Sequence, residues 1–89
     1  MQIVTISGEK IAAAEQLCQE IKTQLKLPET WKADQVYGYL AGVNEPTTVV
    51  VTDAEAMKSR LGAPARQFAD ALAFAEEQNS RYLSVLLVD

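Results

Sequence analysis

The sequence predicts an α/β fold: a three-stranded parallel sheet with about four helices packed around it, in the order β-α-α-β-α-α-β. Three observations predict it. Short runs rich in β-branched residues occur at Gln2–Ile6 and Thr47–Thr52, and a further short apolar run occurs at Tyr82–Val88. Between them, apolar residues recur every three or four positions, which is the helical period. Strands separated by helical crossovers pair in parallel, and those crossovers are right-handed in nearly all folds. The near-continuous apolar character of the strands, above all Val49-Val50-Val51, predicts a sheet covered on both faces.

The first strand ends at Ser7-Gly8, where the chain turns into a helix over about Ala12–Lys26. Ala14, Leu17, Cys18, Ile21 and Leu25 form its apolar stripe, and Glu15, Gln19, Glu20, Lys22 and Gln24 lie elsewhere on the wheel and face water. Pro28 ends this helix, because the residue before a proline avoids the helical region. After the loop Glu29–Ala33, Asp34 is placed to N-cap a short helix from Gln35 to Ala41. Val36, Tyr39 and Leu40 share its inward face, with Tyr37 and Ala41 half exposed beside them, and Gly42 is suited to a left-handed C-terminal position. Asn44-Glu45-Pro46 is turn chemistry leading to the second strand. Asp53 caps a weakly amphipathic helix from Ala54 to about Arg60, with Met57 and Leu61 on its apolar side, and Gly62 breaks it. Pro64 sits in the first turn of a longer helix, about Ala63–Asn79, whose buried stripe is Phe68, Ala71, Leu72 and Ala75. Asn79-Ser80 closes that helix ahead of the third strand.

A chain of 89 residues makes a single domain, residues 1–89, and area scaling buries about 64% of its unfolded surface. An apolar content of 48% with 22% charged residues argues against disorder. No apolar run is long enough to span a bilayer, and Met1–Ile6 has no basic segment ahead of an apolar one, so neither membrane span nor secretory signal is expected. Cys18 is the one cysteine and has no internal partner, which favours a reducing cytoplasm. A net charge of −4 disfavours direct nucleic-acid binding, which needs clustered Lys and Arg, and is compatible with a basic protein partner.

Catalytic chemistry finds little support. There is no histidine, which removes the commonest general base and neutral metal ligand. Ser7-Gly8-Glu9-Lys10 lacks the remainder of a phosphate loop and reads as a turn. Cys18 falls in an apolar stripe with no base to activate it, so it reads as a buried, inert thiol. Glu76 and Glu77 are adjacent on a helix, so their side chains diverge by about 100° and cannot act as a pair. No enzyme activity, metal or cofactor is expected. The informative stretch is Leu27–Gly42, which gathers the only tryptophan with tyrosines and acids on a loop and the helix after it. That is the composition of a protein-recognition surface, unless Trp31 and Tyr37 simply fill the core.

Several segments carry a likeness to a known family. Ile6-Ser7-Gly8-Glu9-Lys10-Ile11 is similar to Ile-Asn-Gly-Glu-Gln-Ile, and Leu25-Lys26-Leu27-Pro28-Glu29 to Leu-Ala-Leu-Pro-Glu. Tyr39-Leu40-Ala41-Gly42 falls at a Cys-Leu-Thr-Gly segment, and Leu83–Leu87 at a closing apolar strand. In these segments, and in length and element order, the chain resembles the barstar family, intracellular inhibitors of the ribonuclease barnase.

The resemblance implies that the second helix and the loop before it plug the cleft of a ribonuclease, with acids standing in for substrate phosphates and aromatics supplying contact area. The family's aromatic pair after Leu-Pro-Glu becomes Thr30-Trp31, and the following run is shortened to Lys32-Ala33-Asp34-Gln35, leaving Asp34 as its one acid. Its Leu-Trp-Asp becomes Val36-Tyr37-Gly38, so a central aspartate is replaced by glycine. A family glutamate on the later helix matches Glu77, or Glu76 with a one-residue slip. The implied contact residues are Thr30, Trp31 and Lys32 of the loop, Asp34, Gln35, Tyr37, Gly38, Ala41 and Gly42 of the helix, and Glu76 or Glu77 at the edge. With the aspartate gone and Lys32 facing a basic cleft, weak binding to barnase itself is expected. The expected partner is a divergent ribonuclease or other nuclease toxin, bound by a chain that is monomeric when free. The alternative is a binding module for a non-nuclease partner, or self-association, through the same surface.

Overall fold

A computed structural model describes residues 1–89. Strand β1 (Gln2–Ser7) runs into a single tight helical turn at Gly8–Lys10, followed by helices α1 (Glu15–Leu25) and α2 (Ala33–Gly42). Strand β2 (Thr47–Thr52), helices α3 (Ala54–Leu61) and α4 (Ala63–Gln78), and strand β3 (Leu83–Leu87) complete the chain. The three strands form one parallel sheet in the order β1-β2-β3, with Val4, Val49 and Val85 in register across it. Fold class and element order are therefore those the sequence predicts.

The expectation of a sheet covered on both faces is not met. Val4, Ile6, Val49 and Val51 are fully buried, whereas on the opposite face Ile3 is 58% and Leu86 52% exposed. Strand order follows chain order, so both crossovers step the same way across the sheet. Two right-handed crossovers in that arrangement deliver every helix to one face. The core lies on that side: Leu17 and Ile21 of α1, Val36 and Leu40 of α2, Met57 of α3, and Phe68 and Leu72 of α4 converge on the buried strand residues. Full burial of each large side chain contributes roughly 1.5–3 kcal/mol.

The helices also serve the two sheet edges. The Gln24 side-chain amide accepts from the backbone N–H of Thr5 at 3.0 Å and donates to its carbonyl at 2.8 Å. On the far edge, Glu76 Oε2 accepts from the N–H of Val85 at 2.5 Å. Open strand edges invite pairing with other chains, and these side chains occupy part of each.

Helix boundaries depart from the simplest reading for local reasons. Gln16 Oε1 accepts from the N–H groups of Ala12 and Ala13, at 2.7 and 3.3 Å, and α1 begins only at Glu15. It ends at Leu25, before Pro28 can act, because Lys26 turns left-handed (φ 58°) and the Leu27 N–H closes onto the Lys22 carbonyl at 2.8 Å. Asp53 opens α3 without a side-chain cap. It adopts a left-handed backbone (φ 54°), and the next N–H, that of Ala54, bonds the Val88 carbonyl at 3.0 Å. Gly62 (φ 74°) separates α3 from α4, and Pro64 lies in the first turn of α4 as expected.

Gly8 is required by close approach. A Cβ there would lie 2.5 Å from the Thr52 carbonyl oxygen and 2.9 Å from that of Asp53. The Ser7–Lys10 segment is thus a packed turn against the end of β2. Arg60 fastens it, donating from Nη2 to the Gly8 carbonyl at 2.8 Å and to that of Ile11.

Candidate functional site

The loop before α2 is held from α1. Lys22 Nζ donates to the carbonyls of Glu29 and Trp31 at 3.2 and 3.1 Å, and Gln19 Nε2 donates to the Glu29 carboxylate at 2.8 Å. With Gln24 on the β1 edge, three of the five polar residues assigned to solvent on α1 are tied to other segments. Wheel position separates buried from exposed faces but does not show which polar side chains find partners. Lys22 follows Cys18 by one turn at the margin of the apolar stripe, a boundary position that marks such residues.

Asp34 does not cap α2. The helix starts at Ala33, with Lys32 as its N-cap residue, and Gln35 Oε1 accepts from the Lys32 backbone N–H at 2.8 Å. Lys32 has only donors and offers no return bond. Asp34 is left in the first turn with its carboxylate exposed, where the helix dipole favours an acid. Gly42 is likewise not left-handed but is the last helical residue, followed by extended Val43 (φ −61°, ψ 143°). The end of α2 is closed from a distance: Asn79 Nδ2 donates to the carbonyls of Val43 and Leu40 at 2.8 and 3.3 Å.

The aromatic residues are neither wholly core nor wholly surface. Trp31 is half-buried and packs on Tyr39, with ring centroids 6.0 Å apart and planes tilted by 57°, so Tyr39 is also half-buried rather than fully inward. Tyr37 is half-buried against Phe68, centroids 6.2 Å apart. Its hydroxyl accepts from the thiol of Cys18 at 3.6 Å. Cys18 is therefore half-buried and in polar contact, not the fully buried thiol expected. Burial first, then the Cys18 thiol and the charge of Asp34, push the Tyr37 hydroxyl above the ordinary phenol range.

Asp34, Tyr37, Gly38 and Ala41 follow one another at helical spacing and share a face of α2. Thr30, Lys32, Gln35, Gly38 and Gly42 are exposed, and Ala41 is half-buried. Tyr37, Gly38 and Ala41 meet Ala71, Phe74 and Ala75 of α4 along a shared cleft. Phe74 was not singled out from the sequence, although it is apolar and lies off the buried stripe of α4, the signature of an exposed apolar residue. Glu77 is exposed one turn beyond Phe74, whereas Glu76 is half-buried with its carboxylate on β3. No three Asp, Glu or Cys side chains cluster in a metal-binding arrangement, and no helix is long and apolar enough to cross a membrane.

Residues 1–88 match the family described as Barstar (barnase inhibitor). The chain belongs to the barstar family. No curated protein matches it. Barstar-family proteins bind ribonucleases as protein partners, which makes a protein-binding surface, rather than a substrate pocket, the feature to look for on this fold.

Proposed function

We propose that this barstar-family chain is an inhibitor or immunity protein that binds and blocks the active site of a ribonuclease-type toxin divergent from barnase, in the cytoplasm and without catalytic activity of its own. The observation that carries the reading is a pre-arranged loop and helix: Trp31 braced on Tyr39 and held from Lys22, with Asp34 exposed one turn before Tyr37 and Gly38. A rigid aromatic anchor beside an unpaired acid suits a basic cleft, because little ordering entropy is lost on binding. Thr30, Trp31, Lys32, Asp34, Gln35, Tyr37, Gly38, Ala41 and Gly42 form the contact surface, with Glu77 at its edge. Glu76 is committed to Val85 and contributes less.

The test is cleavage of a fluorogenic RNA by barnase, and by a nuclease encoded beside this chain, titrated with the wild type and with a Trp31→Ala, Asp34→Ala double variant. Expected is stoichiometric inhibition of the neighbouring nuclease by the wild type, weak inhibition of barnase, and loss of both in the double variant. Equal inhibition by wild type and double variant removes the surface assignment. No inhibition at all, with concentration-dependent dimers in sedimentation, transfers the surface to self-association.

A further inference from the structure

Gly38 lies in the interior of α2, where glycine is destabilising relative to alanine. The fold does not require it: its φ is not positive, and a Cβ there would meet no atom within 4 Å. Gly38 borders a cleft of about 220 Å³ between α2 and α4. Ala41, Ala71 and Ala75 line it with methyl groups, and the rings of Tyr37 and Phe74 complete it. The one polar atom among these side chains, the Tyr37 hydroxyl, is engaged with Cys18. Phe74 is 62% exposed, an apolar ring left facing water at the rim. The cleft is smaller than the roughly 300–1,000 Å³ that small-molecule sites occupy, which suits a single side chain and not a cofactor or nucleotide.

The rim is acidic. Asp34 stands one turn before Gly38 on α2 and Glu77 one turn beyond Phe74 on α4, both exposed, whereas Asp70, one turn before Phe74, shares its groove with Lys58 and Arg66. The only cation within α4 is Arg66, a turn further back, and that of the α2 start is Lys32.

We propose that this cleft is the specificity pocket of the partner surface, and that it takes one aliphatic or aromatic side chain of the partner nuclease flanked by Lys or Arg. The proposal rests on the inhibitor reading and deepens it. Where the resemblance places an aspartate to meet a cationic pocket, this chain has an apolar hollow that a buried, unpaired charge would enter only unfavourably. An apolar side chain fills the hollow, and the acidic rim attracts its basic neighbours.

The test has two arms. Amide chemical shifts of the protein are followed on titration with the capped tripeptides acetyl-Lys-Leu-Lys-amide, acetyl-Lys-Ser-Lys-amide and acetyl-Glu-Leu-Glu-amide. Expected are shifts at Gly38, Ala41 and Ala75 with the first peptide and binding about tenfold or more weaker for the other two, the scale set by burying one leucine-sized side chain. Gly38→Leu, which fills the cleft while improving helix propensity, is expected to abolish the response. Equal binding of the three peptides, no shifts at the cleft, or a full response from Gly38→Leu overturns the proposal. In the RNA-cleavage assay, inhibition lost in the Trp31, Asp34 double variant but kept in Gly38→Leu overturns the pocket and leaves the inhibitor reading standing. Peptide shifts intact with no nuclease inhibited by the wild type place the failure in the inhibitor reading, and with it the nuclease as occupant.

Discussion

Lys22 donates from Nζ to the carbonyl oxygen of Trp31 at 3.1 Å, so the loop bearing the only tryptophan is held from a neighbouring helix and not by its own residues alone. The bond to Glu29 makes the same ammonium group a two-point tether. Lys22→Met keeps the apolar stem and removes both bonds. The expected loss of stability is about 1 kcal/mol, because the group is only half-buried. Trp31 emission should move to longer wavelength and its anisotropy fall as the loop loosens. Unchanged emission with unchanged stability would show that the tether holds nothing.

Two glycines should respond in opposite directions. Gly8→Ala drives a methyl group against the Thr52 and Asp53 carbonyls, and a destabilisation of about 3 kcal/mol is expected. Gly38→Ala meets open space inside a helix and should stabilise by about 1 kcal/mol. Urea unfolding of the two variants beside the wild type checks both signs in one experiment.

Asn79→Ala leaves the carbonyls of Leu40 and Val43 without their side-chain donor. A loss of about 1–2 kcal/mol is expected, seen as a lower urea midpoint at unchanged slope. The same variant should increase amide hydrogen exchange in the last turn of α2 more than in α1, because only α2 is closed by this side chain.

The raised Tyr37 hydroxyl predicts a pH dependence at the alkaline end. Its folded-state pKa lies above the ordinary value of 10.0, so above that pH the unfolded chain binds fewer protons than the folded one. Stability from this source is present in full below pH 10 and is lost as pH rises beyond it. Tyr37→Phe should flatten that part of the stability profile. A slope above pH 10 that is identical in wild type and variant refutes the assignment to Tyr37.

The architecture was legible because strand and helix periods are local: the β-branched runs and the apolar stripes at Leu17-Ile21, Val36-Leu40 and Phe68-Leu72-Ala75 lie where the elements form. Coverage of the sheet was not, because it follows from strand order and crossover direction, which no single strand encodes. Ile3 and Leu86 look like core residues in any local window. The Asp34 cap assignment failed for a related reason, and Asp53 holds the N-cap position of α3 without a side-chain bond. Asp34 and Asp53 have the right propensity, but Gln35, a left-handed backbone and the Val88 carbonyl supply the actual geometry. At the proposed recognition surface, Trp31, Asp34 and Tyr37 stand out by residue type and Gly38 by the resemblance, whereas Lys22 and Asn79 act through partners on other elements. Such partners belong to the tertiary fold.

The amide of Gln24 on β1 and the carboxylate of Glu76 on β3 have a consequence for how the chain reaches its native state. Gln2 and Thr47, paired across the first two strands, are 45 positions apart, and such distant pairing forms slowly. Until α1 and α4 dock, neither guard is in place, and a partly assembled sheet exposes both edges together with the bare face of Ile3 and Leu86. Refolding yield should therefore fall with chain concentration even where the native state is stable, since intermolecular strand pairing competes with helix docking. How soon those two helices close on the sheet, as much as the depth of the native well, determines how much of the chain arrives there.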